Sequence, residues 1–166
     1  LLNGAELGPD GADAPDALLA LVPATDTVVG RFLGPARTWS TVTPVMLPGY
    51  DDPGGVRRRL SENDPARAMT AGEKRTRLAA LDEGTRALVQ RAFDHAGLPP
   101  DLTRAAAVEY REVGFLRGTE PSRNYHLPPL RFPRYPVRVA FPHPVRGPLA
   151  VGAGRYRGLG LFAADD

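Results

Sequence analysis

The chain has no cysteine among its 166 residues and a single lysine, Lys74. Without thiols there is no disulfide framework and no thiolate metal site, and a cytoplasmic setting is the simplest expectation. No apolar run approaches the roughly 20 residues that a membrane-spanning helix needs, so no membrane partner is expected. The start has no basic, apolar and small-residue order of a signal peptide. It also has no initiator methionine and opens Leu1-Leu2-Asn3, as expected of a piece of a longer protein. No carboxylate-histidine cluster stands out, so neither a metal nor any other cofactor is expected.

What is present is arginine, glycine and proline. Apolar residues make up 42% of the chain, enough for the moderate core of one domain and too few for a membrane protein. Gly and Pro occur 18 times each, which forces many turns. The net charge of +2 hides an uneven distribution. Residues 1–30 carry five acids (Glu6, Asp10, Asp13, Asp16, Asp26) and no base, whereas residues 121–160 carry seven arginines and no acid. An acid-free arginine stretch beside glycines makes a positive surface suited to phosphates, or else a plain solubilising face.

Residues 1–35 read as an acidic linker or the edge of a preceding domain, with a short helical patch near Ala17–Leu21. A first strand is expected in Thr38–Leu47, where Trp, Thr and Val suit a half-buried pleated surface and Pro44 forces a bulge or an edge. Pro48 to Pro65 is a loop carrying the Arg57-Arg58-Arg59 run. Thr70-Ala71-Gly72-Glu73 fits a capping box. Leu78, Leu81, Leu88, Val89 and Phe93 then follow at helical spacing, until Gly97 and Pro99-Pro100 end the main helix. Strands are expected over about 105–115 and 136–141, separated by a Pro- and Arg-rich loop from Arg117 to Arg134. The tail holds room for a turn of helix, a glycine loop and a last strand. Residues 36–166 therefore read as one α+β domain.

The tail is the most informative stretch. Glycines at 152, 154, 158 and 160 surround Arg155-Tyr156-Arg157. Glycine permits positive φ and close backbone approach, exposed amides cradle phosphate oxygens, and arginines close the clamp. No Gly-Lys-Ser/Thr follows, so this is not a Walker loop. A dinucleotide-binding unit lacks the helix and second strand it needs so near the end. The segment from Gly147-Pro148-Leu149 to Gly160-Leu161-Phe162 resembles the glycine-rich loop of the CRISPR-associated RAMP superfamily. Trp39-Ser40-Thr41-Val42-Thr43-Pro44-Val45-Met46-Leu47 resembles the opening strand of the repeat-processing domain in the fused subunit of type I-U (I-G) systems. The resemblance spans residues 36–162.

That resemblance implies a ferredoxin-like (RRM-like) fold with one main helix and a C-terminal glycine-rich loop. It also implies a metal-independent endoribonuclease that cuts CRISPR repeat RNA by 2′-hydroxyl attack, retains the guide, and sits among other CRISPR effector subunits. Such chemistry asks for a base, an acid and cations around the phosphorane. Histidine titrates near neutral pH unaided. His126, in the loop after Tyr125, is the first candidate base and His143 the second. His95 reads as a helix C-terminal residue. Tyr125, Tyr135 or Tyr156 are alternatives, as a weaker general base or for orienting the hydroxyl. The RNA-binding candidates are Arg123, Arg138, Arg146, Gly152, Gly154, Arg155, Tyr156, Arg157 and Gly158. Tyr156 reads equally as a base-stacking residue or as core, and Trp39 as core. Two other classes stay open: a non-catalytic guide-RNA-binding module, and a structural domain whose arginines meet an acidic protein partner.

Overall fold

The computed structural model describes residues 6–7, 17–18, 26–48, 70–125 and 132–165. The chain divides into two units, Leu1–Arg31 and Phe32–Asp166. In the first, strands β1 (Glu6–Leu7) and β2 (Ala17–Leu18) pair antiparallel. The helical patch expected near Ala17–Leu21 is therefore corrected at its start. A five-residue apolar patch with no cap is too short to hold a helix against the cost of its first turn. Helix α1 (Thr27–Leu33) forms instead where Asp26 accepts from the amides of Val28 (2.8 Å) and Val29 (3.0 Å).

The second unit is built on a four-stranded, wholly antiparallel sheet. Its strands are β3 (Pro35–Thr41), β5 (Ala107–Tyr110), β7 (Val137–Arg146) and β8 (Phe162–Ala164), in the order β5-β7-β3-β8. A separate two-stranded ladder joins β4 (Val45–Met46) to β6 (Arg134–Tyr135). The expected first strand thus breaks just before Pro44, and its two halves join different ladders.

Helix α2 (Ala71–His95) starts at a true capping box. The Thr70 hydroxyl accepts from the Glu73 amide, and the Glu73 carboxylate accepts from the Thr70 amide at 2.7 Å. Its C-terminal half supplies the packing, with Thr85, Val89, Ala92 and Phe93 buried. Leu78, Leu81 and Leu88 lie only half-buried. Pro100 ends nothing by itself: it stands at the first position of a short helix α3 (Pro100–Ala105), where its missing N–H has no helical acceptor to lose.

The expected strand over 105–115 is corrected at both ends. Its first residue belongs to α3, and it stops at Tyr110, after which the Arg111 side chain bonds the carbonyls of Val113 and Gly114 and turns the chain. The third strand runs longer than expected, to Arg146. Pro142 and Pro144 are tolerated there because both are exposed and the register with β3 shifts between Ala36 and Thr38.

Alternation sorts the sheet's two faces. Trp39, Val137, Val139, Phe141 and Phe162 are buried beside Val89, Phe93 and Leu102. Phe93 joins the helix to two strands, with ring centroids 5.9 Å from Phe141 and 5.5 Å from Phe162. Burying a side chain of this size contributes roughly 1.5–3 kcal/mol. The Trp39 indole donates to the Ala36 carbonyl at 3.0 Å, so its polar edge is satisfied inside the core. Residues Ser40, Glu109, Arg138 and Ala163 share a register row on the other face.

Candidate nucleic-acid interface

Between β7 and β8 the chain does not form a full helix but a stapled loop. Ala150 bridges Leu161, the Val151 amide donates to the Gly160 carbonyl (2.9 Å), and the Phe162 amide to Leu149 (3.0 Å). Two glycines make this closure possible. Gly160 has φ +68°, and a Cβ there would stand 1.8 Å from the Val151 carbonyl oxygen. Gly152 has φ +95°, and its Cβ would meet the Met46 carbonyl oxygen at 2.6 Å. Both positions accept only glycine.

The loop's tip is a single 3₁₀ turn, Arg155–Arg157, with Gly158 in the left-handed conformation at its end. Tyr156 stands at the tip with 87% of its surface exposed. The Arg155 guanidinium lies 4.5 Å from the Tyr156 ring centroid and donates to its hydroxyl at 3.1 Å. Arg157 is exposed on the same turn. The result is an outward aromatic flanked by two cations on an anchored loop.

Part of the loop's backbone is committed inside the protein itself. Gly152 and Gly154 are buried, and their close approach is to Met46 and Leu159 of the same chain. The amides of Val151, Ala153, Arg155, Arg157, Leu159 and Gly160 all donate to the protein's own carbonyls. Those six amides are therefore committed within the chain. Gly158 is exposed, with open space where a Cβ would be.

The remaining candidates are scattered. Arg138 is engaged: its guanidinium bonds Asp165 (Nε at 2.8 Å) and Ser40 (3.2 Å) and stacks 4.8 Å over Phe115. The acid-free stretch around it in sequence gave no hint of this, because its carboxylate arrives from beyond β8. Arg146 is exposed at the end of β7, and Arg123 is exposed in the 3₁₀ turn Ser122–Asn124. Tyr125 is half-buried, its hydroxyl turned toward the Val42 carbonyl at 3.5 Å. Tyr135 is buried against Tyr110, with centroids 5.3 Å apart, which removes it as a candidate. His143 is exposed on β7. His126 and the Arg57–Arg59 run lie outside the described residues.

One pair was missed. Arg91 and His95, one helical turn apart on α2, border a cavity whose opposite wall is Gly152, Ala153 and Arg155. Their i, i+4 spacing was visible in the sequence. Their meeting with a loop 60 residues away was not.

Among the described residues, no helix is long and apolar enough to cross a membrane. The family model for "CRISPR-associated protein, GSU0054 family" matches residues 2–164. Neither the comparison with curated proteins nor that with solved structures gave a match.

Proposed function

From a chain that belongs to the GSU0054 family of CRISPR-associated proteins, we propose a protein that grips CRISPR repeat RNA on the Arg155–Tyr156–Arg157 turn and processes it. The observation that carries this reading is Tyr156, an 87% exposed aromatic framed by two arginines on a loop fixed by glycines. Exposing a large aromatic this way costs hydration with little more than the Arg155 contact in return. A π-face between cations suits an unstacked base and its flanking phosphates.

The sheet supports a ferredoxin-like reading. Taken in chain order, its strands are arranged second, third, first, fourth, all antiparallel, with α2 and α3 between the first two. The glycine segment stands where the second helix of that plan would lie. We take this as the repeat-processing domain of a RAMP-type subunit that works beside other CRISPR components. The reaction is transesterification within the RNA. The 2′-hydroxyl loses its proton to a base and its oxygen bonds phosphorus. The P–O5′ bond breaks and O5′ gains a proton, leaving a 2′,3′-cyclic phosphate and a 5′-hydroxyl.

A second reading, a guide-RNA-binding module without catalysis, is favoured by one observation: His143 is exposed, and no side-chain hydrogen bond orients it among the described residues. End-labelled repeat RNA incubated with the protein in EDTA separates the two. A single cut ending in a cyclic phosphate supports processing, and tight binding without a cut supports the module. Neither binding nor cutting at low salt overturns both.

A further inference from the structure

The cavity between the C-terminal half of α2 and the glycine loop has an accessible volume of about 200 Å³. Its walls divide by chemistry. Arg91, His95 and Arg155 supply cationic or hydrogen-bonding groups, while Pro48, Leu88 and Ala92 are apolar. No carboxylate lines it among the described residues. The acid beside His95 on the helix, Asp94, instead accepts from the Thr103 hydroxyl at 2.5 Å. A concavity lined, among the described residues, by two arginines, a histidine and no acid selects an anion.

We propose that this cavity binds the phosphate of a ribonucleotide, with its ribose against the apolar wall. Resting on the RNA reading above, the inference adds Arg91 and His95 to the site. Size limits the occupant: about 200 Å³ falls below the roughly 300 Å³ at which pockets begin to enclose drug-sized ligands. Phosphate and sugar fit, and the base stays outside. Arg155 belongs both to this cavity and to the stack on Tyr156, so one nucleotide is held with its phosphate inside and its base toward the exposed ring.

The test follows the His95 ring signals by NMR, assigned with His95→Gln, during titration with uridine 3′-monophosphate, inorganic phosphate and uridine. Uridine 3′-monophosphate should move them at the lowest concentration, phosphate at a higher one, and uridine not at all. Arg91→Ala, a change at an exposed position, should weaken uridine 3′-monophosphate about tenfold, the loss expected of one charge-assisted hydrogen bond. Stationary His95 signals with millimolar nucleotide overturn the proposal, and equal affinity for phosphate and nucleotide overturns its ribose part.

Repeat RNA then separates the two readings. RNA that binds without displacing the nucleotide sinks the cavity assignment and leaves the RNA function standing. Nucleotide binding without RNA binding does the reverse.

Discussion

Tyr156 and Gly160 lie four positions apart in one loop and respond to substitution in opposite ways. Tyr156→Ala removes a side chain that is 87% exposed, so the unfolding free energy from a urea titration should stay within about 0.5 kcal/mol of wild type. RNA affinity, read by fluorescence anisotropy, should fall about tenfold, within the roughly 1–3 kcal/mol of a lost base stack. Unchanged affinity would remove the turn from the interface. Gly160→Ala places a Cβ against the Val151 carbonyl at a positive φ. It should destabilise by at least about 1–3 kcal/mol, seen as a lower melting temperature. A melting temperature equal to wild type would mean that the loop closure is not as described. The glycine spacing was legible in the sequence, but what the glycines approach was not. A backbone that must come close to a ligand and one that must come close to its own chain call for the same residue. His95 shows the same limit: its place near the end of the helix was readable, whereas its cavity needs Arg155.

At the scale of elements, α2 was the part most open to reading, because Thr70, Glu73 and Gly97 bound it with side-chain and backbone chemistry local to the sequence. The β4–β6 ladder was invisible, since two-residue strands carry no periodicity. The first turns of α2 have only half-buried leucines beneath them, so the cap matters more than packing there. Thr70→Ala should cost about 1 kcal/mol. Amide exchange should quicken in the first turn while that around Phe93 holds. Glu73 adds a pH dependence of known sign. Bonds from the Thr70 backbone and then its hydroxyl hold the Glu73 carboxyl below its ordinary value. A lowered folded value stabilises fully above the unfolded pKa, and the effect fades as pH falls toward the folded one. First-turn protection should therefore hold from neutral pH down to the ordinary glutamate value, about 4.3, and fall below it. In Glu73→Gln that acid step should vanish. Its survival would assign the effect to another group.

For the whole molecule, the acid-free run of seven arginines in residues 121–160 looked like one positive surface, and the fold takes it apart. Arg138 closes onto Asp165, with side chains 36% and 17% exposed, and ties the centre of the sheet to the chain beyond β8. Arg155 and Arg157 ride on the exposed turn. Sequence distance hid this sorting, because Asp165 lies outside the run yet beside Arg138 in space. Salt dependence distinguishes the two kinds of arginine. An arginine that neutralises an RNA phosphate releases a counterion, and each such contact steepens the fall of log K with log salt by about 0.7 for a single strand. Replacing Arg155 and Arg157 together with alanine should flatten that slope by about 1.4 while the unfolding midpoint barely moves. Arg138→Ala should leave the slope as it was and lower stability by about 1 kcal/mol, as expected of a partly exposed, hydrogen-bonded ion pair. If Arg138→Ala instead flattens the slope, RNA crosses the face of the sheet that carries Arg138 and the glycine-loop turn is only part of its path.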